Sequence, residues 1–446
     1  MTALERLGAH AVGGRRDLSA AVRDAVRLHL ADTVGAWIAA CTTVEGRALL
    51  AFEPAERAGL PGRVALACAL ARLSEVDDIH LASGTTPGAI VASAALTIGA
   101  ALGRSGAELG SAIAAGYDLM TRLGAALGGA AIMYRGIWPT YFAAPFAVAG
   151  TAARLLGLDD EEAAHALAIA LAFASPSVGR QSGTNMSRWL TLGNAARNGV
   201  TAALAAREGF TGDLRLLDGE TLPGAYQMFI HARALLDGLE EGGGILQTSF
   251  KPWCAARQTM AAAQALREIV LDGLLPQDMD RVVVRVPLPY FRMIDHGIVR
   301  GDRTSFLTSV SYQMALAVFE PDASIDPRQA RDVLTPEIEQ FMARVTAVHD
   351  EDLLRHFPES WPALVSVETS GGKRDKLVLH VPGDPERPFD ALQVATKFWR
   401  LVEPLLGGHA ADDVLRRSFA ALDGEGGARA LLEAIDGAVA TAARLS

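Results

Sequence analysis

The sequence predicts a mainly α-helical protein: a large all-helical domain built from the N- and C-terminal segments, with a smaller α+β domain inserted. Three observations lead there. Alanine dominates whole stretches while aromatic residues make up only 6% of the chain, and alanine favours helices and is depleted in strands. Apolar residues recur at helical spacing through most of the first 236 positions. Only after Arg281 does the pattern change to period two, and helical character returns after Asp384-Pro385. These shifts place the helical domain at 1–248 and 391–446 and the inserted domain at 249–390.

The first strong periodic run is Leu18 to Ala40, where Val22, Ala25, Val26, Leu28, Leu30, Val34 and Ile38 mark one face. Further helices are expected at Gly62–Leu73, Ala89–Leu102, Gly106–Leu127, Ala143–Leu156, Asp160–Ala174, Arg188–Arg207 and Glu220–Leu236. The acids Asp159 to Glu162 suit a helix N-terminus, where they complement the dipole. Gly209 suits a C-terminal stop near Glu208. Beyond Gly242-Gly243-Gly244, strands are expected from Arg281 to Leu288, at Ala363–Val367 and at Lys376–Val381. The last two flank Ser370-Gly371-Gly372-Lys373, a hairpin turn. Helices at Phe306–Phe319 and Ala330–Arg344 lie between them, and Ala391–Leu406 leads into the C-terminal helices.

Half of the 446 residues are hydrophobic and 21% are charged, ample for a sizeable core. A net charge of −10 speaks against a nucleic-acid partner, which calls for a basic face, but leaves room for a small anionic ligand. Cys41, Cys68 and Cys254 are far apart and odd in number, which suits a reducing cytoplasm and argues against a disulfide framework. No apolar run follows a basic head between Met1 and Arg16, so no signal peptide is expected. The most hydrophobic run, Pro87 to Leu102, is shorter than the roughly 20 residues of a membrane span. No dinucleotide-binding glycine motif, phosphate loop, nucleophile elbow or pair of histidines at metal spacing occurs. Any chemistry is therefore expected to run on side chains without cofactor or metal.

Four segments stand out. Glu75-Val-Asp-Asp-Ile-His80, followed by Gly84-Thr-Thr-Pro-Gly88, crowds three carboxylates and a histidine between two apolar helices. Such a set can supply a proton acceptor near neutral pH, or it is a solvated loop in which an aspartate caps a turn. Tyr134-Arg-Gly-Ile-Trp-Pro-Thr140 is an aromatic turn before a helix, or an ordinary connector. Ser187 to Gly199 sets Gly193, Asn194 and Arg197 at helical spacing, which serves close packing. Ser249-Phe-Lys-Pro-Trp-Cys-Ala-Ala-Arg257 puts Lys251 and Arg257 at the domain junction, a place for an anion clamp or for two surface charges.

Taken in order, these segments resemble the MmgE/PrpD family. Asp32-Thr-Val-Gly35, Asp77-Asp78-Ile-His80 with Pro87-Gly88, Ala115-Gly-Tyr-Asp118 and Arg135-Gly-Ile-Trp-Pro-Thr140 are each similar to a family motif. So are Gly193 to Gly199, Gly209-Phe-Thr-Gly212, Lys251-Pro-Trp, and Asp384-Pro385 with Lys397-Phe398. The likeness runs from about residue 20 to residue 405. It implies a helical body, an α+β lid from the middle of the chain, and a homodimer. It also implies a cofactor-free reaction beside a carboxylate, since the family includes 2-methylcitrate dehydratase, cis-aconitate decarboxylase and iminodisuccinate epimerase.

Carried over residue by residue, the resemblance assigns Lys251 to a substrate carboxylate and Tyr312, in Ser311-Tyr-Gln-Met, to proton donation or carboxylate binding. Asp78 and His80 match the acidic loop, and Glu75 stands where the family has aspartate. Arg188 stands in place of a lysine ahead of the glycine–alanine helix. Thr86 and Trp138 replace histidines, Trp138 lying beside Thr140, and Ala256 replaces a histidine of the decarboxylase branch next to Arg257. Threonine is no base near neutral pH, and tryptophan only donates. Glu75, Asp78, His80, Lys251 and Tyr312 are thus the expected catalytic set; Arg188, Arg257, Trp138, Thr86 and Thr140 are expected to line the substrate. The alternative is a homologue that has lost the family reaction and serves as a binding protein or a biosynthetic, cyclase-like catalyst.

Overall fold

A computed structural model of the chain describes residues 1–13, 18–52, 59–175, 185–329 and 333–444. The protein is mainly α-helical, with one small four-stranded mixed sheet. It divides into two compact units. The first takes in residues 1–179, 186–250 and 389–446, and the second residues 180–185 and 251–388.

The first unit is a stack of helices. Ala20–Ala40 opens at Ser19, whose side chain accepts from the Val22 amide, and it carries a long buried stretch from His29 to Ala40. Leu60–Leu73, Gly106–Ala126, Pro139–Leu156 and Ser187–Arg207 form the centre. Alanines and glycines allow their axes to approach closely. A Cβ at Gly199 would lie 2.5 Å from the Pro145 carbonyl oxygen, and one at Gly116 would lie 2.2 Å from Thr151 Oγ1. The acids before Asp160–Ala172 make a full capping box between Asp159 and Glu162.

Several expected elements are cut differently. The Glu220–Leu236 helix is two short ones, Thr221–Tyr226 and Ala232–Leu236, because Gln227 turns left-handed at φ +53°. The Ala89–Leu102 helix begins with a π-helical turn at Gly88–Ala92 before Ser93–Leu102. Helices Ala3–Gly13 and Val44–Phe52 were not expected, although the first buries Leu4, Leu7, Gly8 and Ala11 at helical spacing.

The two ends of the chain meet inside this unit. Lys397, on Ala391–Leu406, lies 2.5 Å from Asp32 and donates to the Val76 carbonyl at 2.8 Å. Gly35 lets Phe398 approach so closely that a Cβ would sit 3.0 Å from its ring. Both Asp32 and Lys397 are almost wholly buried. Among the described residues no helix is long and apolar enough to cross a membrane.

In the second unit the sheet order is β2-β1-β3-β4, with β1 Arg281–Val286, β2 Val345–His349, β3 Ala363–Thr369 and β4 Gly372–Val378. β1 pairs parallel with β2 and antiparallel with β3, and the hairpin of β3 and β4 turns at Ser370-Gly371. β2 was not expected: it buries only Ala347, so no alternation marks it. It begins directly after the expected Ala330–Arg344 helix, of which the described residues form Pro336–Met342; residues 330–332 lie outside the described residues. The expected Phe306–Phe319 helix breaks at Ser309 into Arg303–Thr308 and Val310–Phe319. Ser309 is extended there, and its hydroxyl accepts from the Tyr312 amide. Helix Arg257–Leu271 packs on β3, β4 and Val310–Phe319.

The Asp32–Lys397 pair supports a first prediction. Lys397→Met strands a buried carboxylate and is expected to cost about 3–5 kcal/mol at neutral pH. Burial already pushes the Asp32 pKa upward, against the pull of Lys397, so the loss should shrink as the pH falls and Asp32 takes up a proton. Urea denaturation at several pH values measures this. A pH-independent loss below about 1 kcal/mol, in the range of an exposed pair, would mean the pair does not tie the ends together.

Candidate functional site

The loop between Leu60–Leu73 and the π-helical turn at Gly88 carries the acidic segment. Its anchor is Asp78, buried to 1% exposure. Asp78 Oδ1 accepts from the Gly88 amide at 2.7 Å. Oδ2 accepts from the Tyr117 hydroxyl at 2.6 Å and contacts His29 Nδ1 at 2.8 Å. Burial and then the neighbouring Asp78 hold the Tyr117 pKa well above its usual value, so the phenol stays a donor. A Cβ on Gly88 would fall 2.6 Å from Asp78 Oδ2, which is why a glycine stands there.

His80 is also committed to the loop. Ser83 donates its amide to His80 Nδ1 at 3.2 Å, and the Ser83 hydroxyl lies 2.9 Å from the same nitrogen. An amide can only donate, so Nδ1 accepts and the ring proton sits on Nε2. Burial lowers the His80 pKa to about 4, with a hydrogen bond to Gln247 opposing the shift. The loop is stitched to the end of the first unit by paired backbone bonds, Ile79 N–H to Ser249 O at 2.9 Å and Ser249 N–H to Ile79 O at 2.8 Å. His29 stacks on Phe250 with centroids 4.1 Å apart, and Phe250 on Phe389 at 5.8 Å.

Both residues stand among the expected proton-handling groups, and in the structure both are tied into the loop by their hydrogen bonds. Gly88, Tyr117 and His29, the partners of Asp78, are held by the fold, and His80 presents a neutral ring whose basic nitrogen is occupied. They shape the loop.

Glu75 is different. Its backbone is left-handed, φ +59°, a strained state for a residue with a side chain. Its carboxylate spans two arginines: Arg72 Nη1 lies 2.8 Å from Oε2, and Arg188 Nη2 lies 3.2 Å from Oε1. Arg72 also reaches Asp77 Oδ1 at 3.3 Å. Burial works against the Arg72 charge, but Asp77 and Glu75 outweigh it and raise its pKa. Arg188 donates Nε–H to the Tyr141 hydroxyl at 3.2 Å. Its guanidinium lies 4.3 Å from the Trp189 ring centroid and 5.7 Å from that of Trp138. Trp138 is half-buried and meets Tyr141 edge-on at 6.4 Å. The cluster therefore holds two cations, an acid poised between them, a phenol and two indoles.

Thr86 and Thr140 come together beside the turn: the Thr86 amide donates to Thr140 Oγ1 at 3.1 Å, and the two hydroxyls are 3.4 Å apart. Thr140 sits in the first turn of Pro139–Leu156, which Trp138 precedes as N-cap.

In the second unit Lys251 is buried to 2% exposure, and Tyr312 is wholly buried with Phe306 edge-on at 5.0 Å. Ala256 is the N-cap of Arg257–Leu271 and offers no side-chain cap. Arg257, expected at an anion clamp, makes a buried ion pair within the second unit. Its Nη2 lies 2.7 Å from Asp384 Oδ2, which also accepts from the Val381 amide at 2.8 Å. A guanidinium at 1% exposure needs a permanent counter-ion, and the chain supplies one.

Sequence reasoning missed Arg72 and Tyr141 as members of the cluster. Two signals were present: Arg72 stands three residues ahead of Glu75, a helical turn away, and Tyr141 directly follows Thr140. Among the described residues no group of histidine, cysteine, aspartate and glutamate side chains could hold a metal ion.

Comparison with known proteins defines the class. Residues 11–235 match the MmgE/PrpD N-terminal domain and residues 253–420 the MmgE/PrpD C-terminal domain. The chain belongs to the MmgE/PrpD family. A stretch of 148 residues is 30% identical to human cis-aconitate decarboxylase; it takes in 31% of this chain and 30% of that enzyme. The chain thus spans under a third of the length of this curated relative.

Two predictions follow from the loop. Asp78→Asn, which cannot accept from all three donors, should cost about 2–4 kcal/mol and lower the melting temperature. An unchanged melting curve with lost turnover would return Asp78 to the proton-handling groups. His80 stays neutral in the folded chain but protonates near its usual value when unfolded. Its stabilisation is therefore complete above about pH 6.5 and falls by about 3 kcal/mol as the pH drops toward 4. His80→Gln should unfold with about one proton less uptake at pH 5; the same pH slope in variant and wild type would refute this.

Proposed function

We propose that the protein is a cofactor-independent lyase or isomerase, of dehydratase, decarboxylase or epimerase type, acting beside a carboxylate of a small organic acid. Its family and its likeness to a decarboxylase support the class. The single observation that carries the reading is Glu75: a strained, nearly buried acid between two arginines. A proton beside a carboxylate is weakly acidic, so its removal needs a positioned base and fixed positive charge for the electrons left on carbon. Glu75 serves as the proton acceptor or donor, and Arg188 binds a carboxylate. Lys251 and Tyr312 carry, through the resemblance, a second carboxylate contact and a proton donor. Trp138 and Trp189 around Arg188 favour a substrate with fewer carboxylates, or a bulkier apolar group, than the tricarboxylates of the named relatives. A homodimer and a cytoplasmic place belong to the same proposal.

A second reading is favoured by the Thr86–Thr140 pair. Where the resemblance calls for a histidine, two hydroxyls bond each other, and Trp138 replaces the other histidine. A chain so changed would bind a carboxylate without the family reaction, as a binding protein or a cyclase-like catalyst.

A thermal-shift screen of mono-, di- and tricarboxylates, followed by incubation of stabilising ligands in D2O, tests both. A ligand bound to the fold raises the melting temperature by mass action. Deuterium entering beside the carboxylate, or loss of water or carbon dioxide, is expected, and Lys251→Ala should abolish it while remaining folded. Binding with neither exchange nor product selects the second reading; no stabilising carboxylate removes both.

A further inference from the structure

Arg188 divides its bonds between a phenol and a carboxylate. Its Nε is taken by Tyr141, its Nη2 makes the long 3.2 Å contact with Glu75, and its Nη1 makes no hydrogen bond among the described residues. Tyr141 and Glu75 thus present two oxygens, from separate side chains, to the edge of a guanidinium that a single carboxylate would bridge. Glu75, by contrast, sits closer to Arg72, at 2.8 Å. Of its two arginines it is placed to give up Arg188 and keep Arg72. The indoles of Trp189 and Trp138 support the Arg188 charge whichever anion faces it.

We infer that Glu75 is the resident counter-ion of Arg188 and that an incoming carboxylate displaces it, so that binding of the ligand is itself what releases the base. This rests on the assignment of Glu75 and Arg188 above and adds an order of events to it. Among the described residues the Glu75 carboxylate shares two arginines. Once a ligand carboxylate neutralises Arg188, Glu75 remains tethered through Arg72 with one cation fewer, and a carboxylate with fewer cations beside it holds a proton more tightly. The acid is thereby strengthened as a base only when a substrate is present. The strained left-handed backbone at Glu75 fits a side chain held in a place it is meant to leave.

The exchange has a signature that an ordinary catalytic glutamate lacks: removing the Glu75 charge should improve binding. Calorimetric titration of the full chain with succinate, phenylacetate and tricarballylate tests it, comparing wild type with Glu75→Gln, Glu75→Asp and Arg188→Met. Glu75→Gln frees Arg188, and Glu75→Asp keeps the net charge of the cluster while drawing the carboxylate back by one methylene. Both should bind the preferred probe about tenfold more tightly than wild type, the equivalent of about 1.4 kcal/mol, and Arg188→Met should bind it at least about tenfold more weakly. The shortened variant keeps the test open if the neutral one misfolds. Equal or weaker binding by the folded Glu75 variants overturns the exchange, as does the absence of binding by all proteins. Turnover is scored separately: a wild type that binds but neither exchanges protons nor forms product defeats the enzyme reading, while tighter binding in the variants still supports the exchange.

Discussion

The candidate site depends on one buried carboxylate. Asp78 gathers a histidine from Ala20–Ala40, a tyrosine from Gly106–Ala126 and the amide that opens the π-helical turn at Gly88. Three separate parts of the first unit converge on its two oxygens. A charge at this depth is tolerated only when its hydrogen-bonding capacity is met. Meeting it fixes the course of the loop from Ser74 to Gly88, and Glu75 owes its strained backbone and its place between two arginines to that course.

Most of the segments that resemble the family serve this scaffold in the chain at hand. Asp32 and Lys397, from the first and last of them, meet as a buried pair, and Gly35 and Phe398 pack beside it. Tyr117 holds Asp78, and its neighbour Gly116 lets Thr151 and Val91 close in. Asp118 accepts from the Gly244 amide near the end of the first unit. Arg257 and Asp384 pair within the second unit. The proposed chemistry rests on a smaller group around Glu75, Arg72, Arg188 and Tyr141. There the ion-paired side chains are nearly buried, so each charge acts more strongly than it would in solution.

The legible part of the site was its address. Three acids and a histidine between apolar helices marked the loop, and Lys251 and Arg257 marked the start of the second unit. Their roles were not legible. Asp78 and His80 were expected to carry protons because titratable groups crowd together, but crowding along the chain does not reveal which partners each side chain meets. Arg188 was expected to line the substrate through the resemblance, but its pairing with Glu75, 113 positions earlier, was not legible.

By itself, the sequence determined the helices with strong apolar periodicity and clear end signals. Asp159 with Glu162, Gly209, and the run from Ala391 to Leu406 read directly, because capping and amphipathic spacing are local. It also determined the character of the chain, an alanine-built helical body with one short stretch of strands. Only the tertiary structure decided which charges pair, that Val345–His349 joins the sheet as a parallel edge, and that a π-helical turn opens at Gly88. Those outcomes depend on what lies across from each residue in space. Burial makes such pairings compulsory, since an unpaired charge in the interior costs more than the fold can spare; the distance along the chain does not enter.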